Sequence, residues 1–212
     1  MLLSCLPGKQ APSAQSHGDE PGEAAPVTGC PFCKIAEEAP SSPDSYAAPS
    51  KPVPSTLTST PSPTRLVLTS DRFVAFHDRT PRAAVHLLAI PREHVGSVKS
   101  LSGKPGAELV DSLHAFGRQA LEMASSSTSR PSSQRLYGFH IPPFNSVDHL
   151  HLHCLEYPLT VTGRIKYCAT QSKGRKLKGW TWFVEAEQAR GILARGRGVK
   201  VGSVYADQAE GA

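Results

Sequence analysis

The segment Asp148-His149-Leu150-His151-Leu152-His153-Cys154-Leu155 constrains this chain more than any other. An extended strand sends alternate side chains to opposite faces, with same-face neighbours roughly 6.5–7 Å apart. Three imidazoles then line one surface while Leu150, Leu152 and Cys154 enter a core. A single histidine on an apolar strand is commonly a satisfied core residue. Three in alternation are different, because each buried ring needs its own hydrogen-bond partner. The pattern points to nucleophiles, proton carriers or metal ligands carried on a strand that also packs the domain.

The rest of the chain bounds where that domain lies. Nineteen prolines among 212 residues are unevenly spread. Residues 1–28 and the stretch from about Pro40 to Thr64 are rich in Pro, Ser, Thr and Ala and carry no hydrophobic period, so burial there cannot offset ordering entropy. The expected organisation is a disordered segment over 1–28, one domain over 29–196 with an insert at about 39–64, and a disordered tail over 197–212. Met1–Pro7 is apolar but too short for a signal-peptide core, and no other stretch could span a bilayer. A soluble protein of the cytoplasm or nucleus, with no membrane partner, is expected. Five cysteines fit a reducing compartment better than a disulfide framework.

The net charge of +5 is concentrated late. Arg164, Lys166, Lys173, Arg175, Lys176 and Lys178 share a segment without acidic residues. Over 164–178 such charge suits the phosphates of a nucleotide or nucleic acid, or else a solvated basic loop. Trp180 and Trp182 alternate with Thr181 and Phe183 and read as strand packing.

Hydrophobic periods place the elements. Arg72–Asp78 and Val85–Ile90 read as strands closed by Thr80-Pro81 and Pro91. From Pro105 onward, Leu109, Leu113, Phe116 and Ala120 form one helical stripe. Arg135–His140 is a strand, Ile141–Ser146 a turn into the histidine strand, Trp180–Val184 a further strand and Glu185–Ala194 a short helix. The expected class is α+β: a mainly antiparallel five-stranded sheet, one long flanking helix and a short C-terminal helix.

These residues resemble the histidine triad (HIT) superfamily, whose signature is His-x-His-x-His followed by apolar residues. Phe76-His77-Asp78 and His86-Leu-Leu-Ala-Ile-Pro-Arg-Glu-His94 resemble the family's strand, turn, strand and following histidine. Gly138-Phe-His-Ile-Pro-Pro-Phe-Asn-Ser-Val-Asp-His-Leu-His-Leu-His153 is similar to the third branch of the Hint-type proteins. The resemblance spans about Cys30 to Arg195 outside the insert. It implies a sheet with a flanking helix, usually paired into a homodimer, that binds adenosine monophosphate conjugates beside the triad.

In the reaction the resemblance implies, His151 attacks the α-phosphate to form a nucleotidyl-histidine, and water then releases the nucleoside monophosphate. A neutral imidazole is nucleophilic near its usual pKa of about 6.5. His153 would donate to a non-bridging oxygen, Ser146 would help protonate the departing amine, and His86 would complete the cluster with His149. The chemistry requires no cofactor. The nucleotide site would comprise His77, Asp78 at the ribose hydroxyls, Arg79, Asn145, Ser146, His151 and His153. Asp78 also reads as a turn-initiating residue before Thr80-Pro81, and Arg79 stands where the family commonly has an apolar residue on the base.

Zinc-containing members of the superfamily imply a second role for one triad member. Cys30-x-x-Cys33 supplies two thiols, and the matching third and fourth ligands of a structural zinc are His94 and His149. Three functions compete: cleavage of adenosine 5′-phosphoramidates and acyl-adenylates, aprataxin-like removal of AMP from 5′-adenylated DNA, and non-catalytic nucleotide-binding scaffolding. The basic segment favours the second, whereas the absence of a C-terminal Cys-x-x-Cys with paired histidines opposes it. An intact His151 opposes the third. A metallohydrolase using the triad itself as ligands would need a further ligand that Asp148, on the opposite strand face, does not supply.

Overall fold

A computed structural model of the chain describes residues 26–41, 66–125 and 134–207. Most of the expected segment 1–28, nearly all of the insert and the last five residues lie outside the described residues. Twelve elements follow one another: α1 (Pro31–Glu38), β1 (Leu66–Thr69), β2 (Phe73–His77), β3 (Ala83–Pro91), α2 (Gly103–Ser125), β4 (Arg135–His140), β5 (Leu152–Leu159), α3 (Val161–Lys166), β6 (Lys176–Lys178), β7 (Phe183–Glu185), α4 (Ala186–Ala194) and β8 (Val204–Tyr205).

The main sheet has the order β1-β2-β3-β5-β4-β7, antiparallel at every pairing. This is the expected antiparallel α+β class, with six strands in place of five. The additional strand is β1, four residues at the sheet edge directly after the Pro/Ser/Thr-rich stretch, too short to show a period. The histidine strand sits near the centre, between β3 and β4, where both neighbours hold its register.

Alternation along β2 and β3 feeds two cores. Phe73, Ala75, Leu87 and Ala89 face α2 with Leu150, Leu152 and Cys154. Val74, Phe76, Leu88 and Ile90 face the other way, against Phe32 and Ala36 of α1. Coverage on both faces makes these strands nearly continuous apolar runs. Helix α2 is longer at both ends than the stripe from Pro105 indicates, and it buries Val110, Leu113, Phe116, Ala120 and Leu121. It crosses β5 at Gly117, where a Cβ would stand 2.7 Å from Cys154 Sγ and 2.9 Å from Leu152 Cδ2. The helix therefore approaches the histidine strand more closely than any side chain there would allow.

Three expectations need correction. The tail does not end the fold at residue 196: Val199 and Val204 are buried, and β8 pairs with β6 in a small second sheet. Hydrophobic positions five apart in a glycine-rich stretch gave no periodic signal. Trp180 is 68% exposed and precedes the strand, which begins only at Phe183. Lys178 is fully buried, its ammonium donating to the carbonyls of Gly179 (2.9 Å), Thr181 (2.6 Å) and Gly202 (3.3 Å). It ties the two-stranded sheet to the chain entering β7 and is no part of a solvated basic face. Arg164, Lys166, Lys173 and Arg175 are exposed.

Candidate active site and adjoining metal-ligand cluster

His149 and His151 lead into β5 and His153 lies within it, all on the α1 face, but each meets different neighbours. His149 is fully buried, and its Nε2 lies 3.0 Å from the Pro91 carbonyl. A carbonyl only accepts, so Nε2 carries the hydrogen and Nδ1 presents a lone pair. That Nδ1 is 3.5 Å from Cys30 Sγ and 3.6 Å from Cys33 Sγ, while His94 Nδ1 is 3.2 Å from Cys33 Sγ. The four donor atoms lie within 4.8 Å of one another. Tetrahedral zinc with Zn–S near 2.3 Å and Zn–N near 2.0–2.1 Å separates S and N ligands by about 3.5 Å, so this set fits zinc in both spacing and tautomer. The resemblance implied the same four residues.

Arg92 holds the two cysteines in place through α1. Its guanidinium donates to Ser70 O (2.7 Å), Ala36 O (2.5 Å), Ala39 O (3.1 Å) and Pro40 O (2.6 Å). Helix α1 ends at Glu38 without a basic residue in its last turn, and Arg92 satisfies the carbonyls left open there. The chain thus departs toward the insert from a fixed point, and the thiols stay beside His149.

His151 is 6% exposed and packs edge-on to Phe32, ring centroids 5.4 Å apart. Its Nδ1 lies 2.7 Å from the His149 carbonyl and therefore donates to it. Nε2 is left with a free lone pair. Burial lowers the pKa against the opposing pull of that carbonyl, so the ring is neutral at physiological pH. A small cavity opens beside it, lined among others by Ser97, Phe139, His140, Asn145 and His149.

His153 departs from the expected direct donor to phosphate. Its Nδ1 is 3.0 Å from His86 Nε2 and its Nε2 is 3.0 Å from His140 Nδ1, so both ring nitrogens are engaged by other imidazoles. Tyr167 packs against all three rings at centroid distances of 5.0–5.5 Å. Burial holds His86 and His140 down at about 4 and His153 well below its usual value. Asp78 opposes this at His86, with Oδ2 3.4 Å from Nε2.

The remaining expected residues surround this cluster. Asp78 closes the turn, Oδ1 accepting from the Thr80 amide at 2.6 Å, while Oδ2 faces His86. His77 is half-buried at the end of β2, paired with Leu87, and Arg79 is exposed. Asn145 lines the cavity and donates to Val147 O at 3.1 Å. Ser146 is exposed in the turn before the triad. The residue missing from the expected set is His140, at the end of β4. Its signal was its place at the close of a strand two positions beyond Gly138, which pairs with His153.

Sequence comparisons place the chain among known proteins. The family profile described as "Scavenger mRNA decapping enzyme C-term binding" matches residues 51–167, more than half of the chain. An Arabidopsis thaliana protein named "Bifunctional adenosine 5'-phosphosulfate phosphorylase/adenylylsulfatase HINT4" is 39% identical over 129 residues, covering 60% of this chain and 80% of that one. The Mus musculus "Adenosine 5'-monophosphoramidase HINT3" is 40% identical over 86 residues, covering 41% of this chain and 50% of the mouse protein. A HIT family hydrolase from Clostridium thermocellum aligns at 21% identity with a TM-score of 0.44, covering 62% of this chain and 93% of that chain. With the triad running into a central strand and the profile matched through it, the chain belongs to this family and to the Hint-type branch of the histidine triad superfamily.

Proposed function

We propose that the protein hydrolyses adenosine 5′-phosphoramidates and related mixed anhydrides to AMP through a nucleotidyl-histidine. The observation that carries the reading is His151, buried and neutral, with Nδ1–H donated to the His149 carbonyl and Nε2 bare. The Nε2 lone pair forms a bond to the α-phosphorus as the P–N bond to the leaving group breaks, and the amine departs with the proton of the Ser146 hydroxyl, which the water of the next step restores. Water then attacks the same phosphorus, the histidine–phosphorus bond breaks, and AMP leaves. Asp78 and His77 form the ribose side of the site, and Asn145 and Ser146 the leaving-group side. The names of the mouse and Arabidopsis relatives, a monophosphoramidase and an adenylylsulfatase, support substrates with either an amine or a sulfate leaving group.

Release of AMP from adenosine 5′-phosphoramidate tests this directly, with His151→Ala as the comparison. Activity in wild type and none in the variant is expected; equal rates would overturn the assignment of the nucleophile. No release by either would favour the second reading, removal of AMP from 5′-adenylated DNA. The exposed cations Arg164, Lys166, Lys173 and Arg175 are the observation behind that reading.

Cys30, Cys33, His94 and His149 would hold one structural zinc, which supplies no step of the chemistry but pins α1 to the triad. One zinc per chain by elemental analysis of protein purified without chelator, lost in Cys33→Ser, is the expected result. A homodimer and residence in the reducing cytoplasm or nucleus complete the proposal; an odd count of five cysteines suits the latter better than a disulfide framework. Among the described residues, no helix is long and apolar enough to cross a membrane.

A further inference from the structure

We infer that His140 is a positioning residue that closes one end of a three-imidazole row, accepting the His153 Nε2–H from an anchor on the Lys166 carbonyl. The row runs Arg82 N–His86–His153–His140–Lys166 O, with successive contacts of 3.2, 3.0, 3.0 and 3.1 Å. A neutral imidazole has one N–H and one lone pair, so the two ends decide the middle.

The Lys166 carbonyl only accepts. His140 must therefore carry its hydrogen on Nε2, which leaves Nδ1 to accept from His153 Nε2–H. His153 Nδ1 is then bare and accepts from His86 Nε2–H. At the other end the Arg82 amide only donates, so His86 Nδ1 is bare and its hydrogen lies on Nε2. The two derivations start 84 residues apart in sequence and meet with the same assignment. Asp78 Oδ2, an acceptor 3.4 Å from His86 Nε2, adds a third agreement. Inverting His153 alone would set two N–H groups against each other at one contact and two lone pairs at the next.

His140 acts through His153. Its Nε2–H is held by Lys166, at the end of α3, and the Trp182 indole N–H donates to that same carbonyl at 3.1 Å. Lys166 thus anchors the row from a segment that precedes neither the triad nor the nucleotide-binding turn. What the lock provides is a fixed wall: the His153 ring lies 5.1 Å from that of His151. A single tautomer keeps it from competing for the lone pair or the substrate oxygens.

The test uses the full chain, with ring nitrogens labelled with 15N, and compares wild type, His140→Leu and His140→Asn. Long-range proton–nitrogen correlation assigns each tautomer without substrate, so this arm stands even if the function proposed above, on which the kinetic arm rests, fails. Wild type should show His153 protonated on Nε2 and bare on Nδ1. His140→Leu leaves the His153 Nε2–H without its acceptor while the Arg82–His86 end still donates to Nδ1, so that proton's resonance should move upfield and exchange faster with water, with kcat lowered at least about tenfold and KM little changed. The Asn Oδ1 can take the place of Nδ1 and should restore both the His153 signature and most of kcat. A His153 signature that is the same in wild type and His140→Leu overturns the inference. So does His140→Asn behaving like His140→Leu with its fold intact.

Discussion

Gly138→Ala tests how closely β7 must approach β4 for the imidazole row to keep its place. A Cβ at Gly138 would stand 2.6 Å from Cε1 and Cζ of Phe183, and nearer still to the Val184 carbonyl of the adjoining strand. Carbon contacts relax at about 3.5–4.0 Å, so β7 would have to retreat by about 1 Å. Ladder bonds of ordinary length, lengthened by about 1 Å, fall outside hydrogen-bond range. The pairs affected are Gly138 with Glu185, Phe139 with Val184 and His140 with Phe183. Losing about two such bonds costs about 2 kcal/mol, and overpacking a buried ring costs about 1–3 kcal/mol more. The variant should therefore be less stable by about 3–5 kcal/mol, read as a lowered urea midpoint at unchanged slope. Activity should fall too, because the Phe183 ring lies 5.3 Å from that of His140 and 6.3 Å from that of His153. A loss below about 1 kcal/mol would refute the argument, since β7 would then be free to shift without consequence.

Two further outcomes follow from the buried charges and rings. Folded His86 and His140 titrate at about 4 instead of 6.5, so between those values the unfolded chain binds protons that the folded chain does not. Stability should therefore decline as pH falls from 6.5 toward 4, with His86 alone contributing about 2 kcal/mol by pH 5 and the less buried His140 adding less. Equal urea midpoints at pH 7.5 and pH 5 would contradict this. Arg92→Ala removes the donor to three carbonyls at the end of α1 and to Ser70 O after β1, and should lower hydrogen-exchange protection of residues 31–39 at least about tenfold while leaving α2 unaffected. Unchanged protection of α1 would mean that apolar packing of Phe32 and Ala36 suffices.

Local alternation and spacing carried much of this molecule. His149, Leu150, His151, Leu152, His153 and Cys154 divide between the two strand faces as their period dictates, and Cys30, Cys33, His94 and His149 converge as the resemblance implied. What the sequence concealed depends on contacts between distant segments. Lys178 reads as one more cation in a basic run, and only the three carbonyls that enclose it make it a core residue. β1 and β8 are too short to show a period, and they exist because neighbouring strands offer them a ladder. His140 stands at the end of an ordinary strand, and its part emerges only when β4–β5 register sets it beside His153.

The same point explains why one motif can perform three tasks. Its histidines share a face, a local backbone and nearly the same burial, so their differences must come from what each ring's second nitrogen meets. At His149 the Pro91 carbonyl takes the Nε2 hydrogen and turns Nδ1 toward two thiols. At His151 a carbonyl two residues back takes the Nδ1 hydrogen, so the lone pair is on the opposite nitrogen. At His153 no carbonyl is offered, and two imidazoles occupy both nitrogens. The ligand, nucleophile and wall proposed above thus differ in the position of a hydrogen on each ring. Exchanging a partner should therefore redistribute the tasks with every histidine still in place.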